Sequence, residues 1–318
     1  MSDLIKRRYI LLLRYGIGAG VIISLVYYVQ KQEKIIPILG QYEMTRILPA
    51  LALIILHLVV LYYLWRNIIL NVGVINPGEK KMLHSFFGGR TLGLLTPGHS
   101  GELLKGLFFS SEVRMEATSL SILYAGYGII VRSVLGVVSG IYFVFREPSV
   151  MTISFNFGIT IGLALLVIGL TYLLLRGTRI ITFIIRLMPD GVMELFALFN
   201  NQIRTNTPRQ LLVCFVYALV ANILSVFTFM VLLSGFGTNV FNFEGLMAFE
   251  AAYFVMSILP FTPSSIGVRE TSRVYFFSLI GCSQAEVLCA SFIMFFLNNI
   301  LPAVIGIWSL NHFMNKDS

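Results

Sequence analysis

Charge is what this sequence has least of, and acid is the scarcer sign. Only 12% of its 318 residues are charged, and Asp3, Asp190 and Asp317 are its only aspartates, none near another. A soluble domain of this size carries about 25% charged residues, so water is not the main solvent of this chain. The scattered aspartates exclude an Asp-x-Asp metal site for a nucleotide-sugar, although a metal-independent transferase stays open. A G-x-x-x-x-G-K-[ST] loop is absent, which excludes ATP binding by that route. HExxH and G-x-S-x-G are absent too, and His57, His84, His99 and His312 are dispersed. Cysteine is equally sparse. Cys214, Cys282 and Cys289 show neither CxxC nor metal-ligand spacing, and the first and last lie in apolar runs as packing residues. No metal or cofactor is expected.

What the chain has instead is apolar length. Hydrophobic residues make up 57% of it, in runs of about 20 residues that match the bilayer interior when helical. The runs do not alternate polar and apolar as barrel strands do. The fold class expected is an all-α polytopic membrane protein. Full spans are predicted at 9–29, 47–69, 118–145, 153–175, 210–235 and 285–310. The first follows Lys6, Arg7 and Arg8 but ends in Gln30-Lys31-Gln32 without a cleavage site, so it reads as a retained span. An amphipathic helix over 190–204, with Val192, Leu195, Phe196 and Phe199 on one face, is expected to lie on the membrane surface.

Two further apolar regions, 82–111 and 244–281, are interrupted by Pro, Gly and hydroxyl residues. The first contains Thr96-Pro97-Gly98-His99-Ser100-Gly101-Glu102, the second Thr262-Pro263-Ser264-Ser265-Ile266-Gly267-Val268-Arg269-Glu270. Both read T-P-x-x-x-G with a glutamate after it, inside a broken hydrophobic segment, which suggests an internal repeat. Treated as re-entrant hairpins, they divide the chain into halves of about 1–147 and 148–318 with opposite orientation. Broken helices in inverted repeats recur in secondary transporters. Two full spans over 244–259 and 267–281 would leave the ends of the chain on the same side.

The net charge of +8 is read as loop charge that sets orientation, not as a nucleic-acid footprint. Sixteen lysines and arginines, Arg90 and Lys105 among them, fall on the cytoplasmic side, against Lys31, Lys34, Arg46 and Arg146 opposite. Both termini are therefore expected in the cytoplasm. Arg132, Arg269 and Arg273 remain at membrane depth, where a charge costs about 2.5–3.5 kcal/mol on insertion scales and marks a functional candidate. Glu102 and Glu270 join Arg132 and Arg269 in the main set; Glu250, Lys105 and Arg273 stand in the second rank. Helices restarting at Gly101 and Gly267 are expected to present free N–H groups to an anion, with Lys105, Arg269 and Arg273 adding charge.

At these residues the chain resembles the flippase-like integral membrane family related to the transmembrane domain of lysylphosphatidylglycerol synthase. The segment Leu94 to Lys105 is similar to its Pro-Gly loop followed by Gly-Glu and a basic residue. The segment Ile258 to Glu270 is similar to its L-P-x-x-P-x-x-x-G-x-x-E motif, and the likeness runs over roughly 9–310. Where Arg is frequent in the family's last span, this chain has Asn298-Asn299. The resemblance implies transfer of a phospholipid, glycolipid or polyprenyl-phosphate carrier between leaflets of a bacterial or archaeal inner membrane. A homo-oligomer is compatible with it. The motifs and the ionisable residues at membrane depth together give the candidate substrate-binding and translocation residues: Thr96, Pro97, Gly98, Gly101, Glu102, Lys105, Arg132, Thr262, Pro263, Gly267, Arg269, Glu270 and Arg273. With Ser318 last, no soluble aminoacyl-transfer domain, and hence no synthase activity, is expected. Two other readings stay open: an intramembrane transferase with Glu33, Glu43 or Glu270 as base, and a small-solute transporter.

Overall fold

A computed structural model describes residues 35–73, 75–146, 207–259 and 262–314, with isolated positions 23, 27 and 198. Apart from those isolated positions, the predicted spans at 9–29 and 153–175 and the amphipathic stretch 190–204 lie outside the described residues.

Four continuous helical stretches are long and apolar enough to cross a membrane: Met44–Val72, Arg114–Arg146, Pro208–Ser234 and Gln284–Ser309. They coincide with four of the predicted spans. Helix α1 (Ile35–Gly40) precedes a short 3-10 turn and α2 (Ile47–Asn67), which runs on as a π-turn at Ile68–Val72. Helix α3 (Glu79–Leu95) leads into a 3-10 segment, Ser100–Phe108, and then into α4 (Arg114–Arg146). The second part contains α5 (Pro208–Ser234), α6 (Phe243–Ile258), α7 (Val268–Leu279) and α8 (Gln284–Phe295). A π-turn, Phe296–Ile300, joins α8 to α9 (Leu301–Met314).

The starts follow from local chemistry. Pro208 opens α5 behind a capping box, in which Thr207 N–H donates to Gln210 Oε1 at 2.9 Å. Asn242 Oδ1 accepts from Gly245 N–H at 2.8 Å to start α6. At the start of α3, Glu79 accepts from Tyr62 and from Arg66 of α2, at 2.5 and 2.8 Å. That pair fixes the return of the chain after the first described span.

Two apolar clusters hold the interior. Trp65, Ile68, Phe86, Leu120 and Tyr124 centre one, between α2, α3, α4 and α5. Phe229, Phe249 and Phe277 centre the other, between α5, α6 and α7. Outward-facing Leu48, Val216, Phe227, Val304 and Trp308 are exposed on the spans. So much uncovered apolar surface is a liability in water and the expected coat of a protein in lipid. The molecule is an all-α polytopic membrane protein. Helices α3, α6 and α7, at 17, 16 and 12 residues, rise about 25, 24 and 18 Å. Each is shorter than a hydrocarbon core about 30 Å thick.

Candidate functional site: a cationic cavity beneath two crossed helix breaks

The first break begins where Pro97 ends α3. Thr96 is extended, and its hydroxyl donates back to Leu92 O at 3.0 Å while accepting from Gly101 N–H at 2.5 Å. Gly98 and His99 turn the chain through the left-handed region, with φ of 56° and 61°. The 3-10 segment then folds back along α3. Ser85 Oγ donates to Lys105 O at 2.8 Å, and Gly93 leaves room for the Glu102 side chain, whose Cγ would lie 2.7 Å from a β-carbon there.

That return carries Lys105 into an enclosed box. Its ammonium sits 3.4 Å from the Tyr124 ring centre, faces Trp65 and Phe86, and donates to Glu102 Oε2 at 2.8 Å. The side chain is fully buried. Lys105 therefore balances Glu102 from behind.

In the second break, Thr262 Oγ1 donates to Ile266 O at 2.7 Å, and Gly267 has a φ of 87°. Glu270 reaches back one turn so that its Oε2 accepts from Gly267 N–H at 2.7 Å. Its Oε1 accepts from Arg269 Nε and Nη2 at 2.9 and 2.5 Å. Glu270 is wholly buried, with both oxygens engaged.

The tips of the two breaks meet. Gly98 N–H donates to Thr262 O, and Ser264 N–H to Thr96 O, both at 3.2 Å. Ser264 Oγ adds a bond to Leu94 O at 2.9 Å. The two T-P sequences thus pair antiparallel, Pro97 opposite Pro263.

Beneath this crossing lies a cavity of about 310 Å³, lined by residues from both apolar clusters. Arg90, Arg132, Arg269 and Arg273 line it, and Glu102 is its one lining carboxylate among the described residues. Arg90 Nε lies 3.9 Å from Glu102 Oε1. Arg132 is held by its own helix, Nε donating to Gly128 O at 2.8 Å, and lies over the Tyr253 ring at 4.9 Å. Arg273 Nη1 donates to Ser291 Oγ at 3.0 Å, with Phe229 and Phe249 beneath its guanidinium. Neutral polar groups complete the wall, among them His57, His99, Asn222, Asn298 and Asn299. Asn222 donates to the buried Glu250 Oε1 at 2.5 Å, so Glu250 stands one residue behind the lining.

The residues singled out from sequence therefore separate. Gly98, Glu102, Arg132, Arg269 and Arg273 line the cavity. Thr96, Pro97, Gly101, Thr262, Pro263 and Gly267 build the turns above it, while Lys105 and Glu270 lie behind it. Two expectations are corrected. The glycine N–H at each restart is not free, because Thr96 Oγ1 occupies Gly101 N–H and Glu270 occupies Gly267 N–H; side chains bring positive charge to the cavity. Arg90 and Lys105 are not loop cations either. They are buried inside, and removing them from the sixteen leaves fourteen against four.

Sequence reasoning missed Arg90 and Asn222 as cavity residues. Arg90 follows Gly88-Gly89 inside an apolar segment, and Asn222 interrupts an apolar span. Either position signals a residue turned toward protein rather than lipid.

An all-α membrane protein with crossed helix breaks over a guanidinium-lined cavity is the class that fold and site define. The family model for the lysylphosphatidylglycerol synthase TM region matches residues 11–306, and the chain belongs to that family. No curated protein matched the chain.

Proposed function

We propose that this protein moves a phosphate-containing lipid, or a polyprenyl-linked glycolipid, between leaflets by seating its head group in the cavity. One observation carries the reading: four guanidiniums line an interior cavity whose single lining carboxylate among the described residues already faces Lys105 and Arg90. Guanidinium forks match phosphate oxygens in geometry and charge. Burying uncompensated cations at membrane depth is costly, and a bound anion relieves that cost. The acyl or prenyl tail stays in the bilayer.

In this reading α3 with its 3-10 return and α6 with α7 are two re-entrant hairpins from inverted halves, 1–147 and 148–318. They enter an inner membrane from opposite faces, with both termini cytoplasmic. Their lengths, each shorter than the hydrocarbon core, and their tip-to-tip pairing support it. A transferase finds less support. Glu270 has both oxygens engaged, and Glu43 is held by Thr45 and Arg46, which leaves neither poised as a base; Glu33 lies outside the described residues.

The test is transfer of fluorescent phospholipid and polyprenyl-phosphate lipids in reconstituted vesicles. Arg132→Ala and Arg273→Ala are expected to lower the rate at least about tenfold, the scale of one lost charge-assisted contact, while insertion is retained. Wild-type rates in both variants would overturn the assignment.

A further inference from the structure

The cavity's free and occupied groups say more about the head group than its net charge does. In a cavity lined by guanidiniums, an ammonium needs a carboxylate or an open aromatic face to offset their repulsion. Glu102 Oε2 is held by Lys105 at 2.8 Å, and its Oε1 faces Arg90 at 3.9 Å. Each phenyl or phenol ring in the lining, among the described residues, is likewise covered by a cation of the protein itself. Lys105 covers Tyr124, Arg132 covers Tyr253, and Arg269 covers Phe295 at 3.4, 4.9 and 4.2 Å. Glu250 stands behind Asn222, outside the lining. An incoming amine would meet guanidiniums and find neither a free carboxylate nor an uncovered phenyl or phenol ring among the described residues.

The neutral side of the cavity asks for a different partner. Asn298 and Asn299 enter it from the π-turn Phe296–Ile300. The Asn298 Oδ1 is buried without a hydrogen-bond partner. Buried polar atoms in native structures are nearly always paired, and a carbonyl oxygen pairs only with a donor. Asn222, Ser225 and Ser257 line the same chamber and present further groups suited to hydroxyls.

We propose that the cavity selects a head group in which a phosphate carries uncharged hydroxyls, a glycerol or a sugar, and rejects one bearing an amine. The guanidiniums take the phosphate, and the asparagine side takes the hydroxyls. Arg132 is the specificity residue against amines. It enters the lining from the middle of α4 and has no carboxylate within ion-pairing distance among the described residues. This rests on the cavity being the head-group seat, and it runs against the aminoacylated lipid that the family's name brings to mind.

Binding in detergent tests it separately from transport. Native mass spectrometry or calorimetry on the full chain would compare dihexanoyl phosphatidylglycerol with its lysyl ester and with dihexanoyl phosphatidylpropanol, which keeps the charge and lacks the hydroxyls. Phosphatidylglycerol is expected to bind at least about tenfold more tightly than either. Arg132→Gln should bring the lysyl ester toward parity, and Asn298→Leu should do so for phosphatidylpropanol. Farnesyl phosphate carrying a hexose distinguishes the sources: tighter binding than phosphatidylglycerol assigns the sugar, weaker binding the glycerol. Equal or tighter binding of the lysyl ester, absence of binding by any of these lipids, or ratios unmoved in the two variants would overturn the proposal. Selective binding without transfer in vesicles would instead remove the translocation reading and leave the selectivity in place.

Discussion

Pro97 and Pro263 face each other across an antiparallel pairing in which neither proline is asked for an N–H. The bonds run from Gly98 N–H to Thr262 O and from Ser264 N–H to Thr96 O, so the prolines occupy the pair between them. In an antiparallel ladder this is the non-hydrogen-bonded pair, whose α-carbons approach to about 4.5 Å. Proline is tolerated there because it has no donor to lose. The residues that break the two helices are thus the ones the crossing can accept.

Gly101 is predicted to be irreplaceable for steric reasons. A β-carbon there would collide with the carbonyl of Leu92 and lie 2.8 Å from Thr96 Oγ1. Backbone cannot yield as a flexible side chain can, so Gly101→Ala should cost about 1–3 kcal/mol or more. Gly126→Ala, with nothing within 4 Å of the new carbon, should leave stability unchanged or raise it by up to about 1 kcal/mol. Thermal unfolding in detergent compares them, and equal losses in both would remove the steric account.

Much of the fold was legible because bilayer thickness sets a length that apolar runs must meet. Spans expected at 47–69, 118–145, 210–235 and 285–310 are the helices Met44–Val72, Arg114–Arg146, Pro208–Ser234 and Gln284–Ser309. The breaks were legible too, since Thr-Pro inside an apolar run has few uses. What lay beyond reach was contact between distant residues. Nothing in Lys105's neighbourhood in sequence shows that Trp65 and Tyr124 enclose it. The role of Glu270 was half visible: Gly267-x-x-Glu270 has the spacing by which a third-position glutamate caps its own helix.

Glu270 is expected to act through Arg269. Glu270→Gln keeps an oxygen for Gly267 N–H and removes the charge that holds the guanidinium. Removing one partner of a buried pair costs about 3–5 kcal/mol, so the melting temperature should fall. Adding Arg269→Gln should recover most of that stability while leaving lipid transfer abolished. A double variant with normal transfer would show that neither residue serves the cavity.

Lys105 should follow the same logic with a different outcome. Lys105→Met leaves Glu102 with only Arg90 at 3.9 Å and should destabilise the protein by about 3–5 kcal/mol. Glu102→Gln on that background should restore it, because the box of Trp65, Phe86 and Tyr124 readily accepts a thioether. A double-variant cycle by thermal unfolding measures the coupling, and additivity would contradict the pairing.

The Glu79 contact gives a prediction in acid. Hydrogen bonds from Tyr62 and then Arg66 hold its carboxyl below the usual carboxylate range. A group depressed in the folded state stabilises it above its unfolded pKa, and that benefit fades as pH falls through the folded one. The stability difference between wild type and Glu79→Gln should therefore be constant near neutrality and shrink below about pH 4. A difference that grows in acid would contradict the contact.

The tip pairing also offers a direct test of motion. Alternating access around a fixed site requires elements on either side of that site to move against each other. The Pro97–Pro263 bridge ties the two breaks together in the present arrangement. At about 4.5 Å between α-carbons, the pair falls within the range a disulfide spans. Pro97→Cys with Pro263→Cys, on a background with Cys214, Cys282 and Cys289 replaced by alanine, should cross-link on oxidation. If the tips part during each cycle, the oxidised protein binds lipid with unchanged affinity but does not transfer it, and reductant restores the rate. Unimpaired transfer by fully cross-linked protein would mean that the crossing is a fixed pivot and that movement lies in the helices around it.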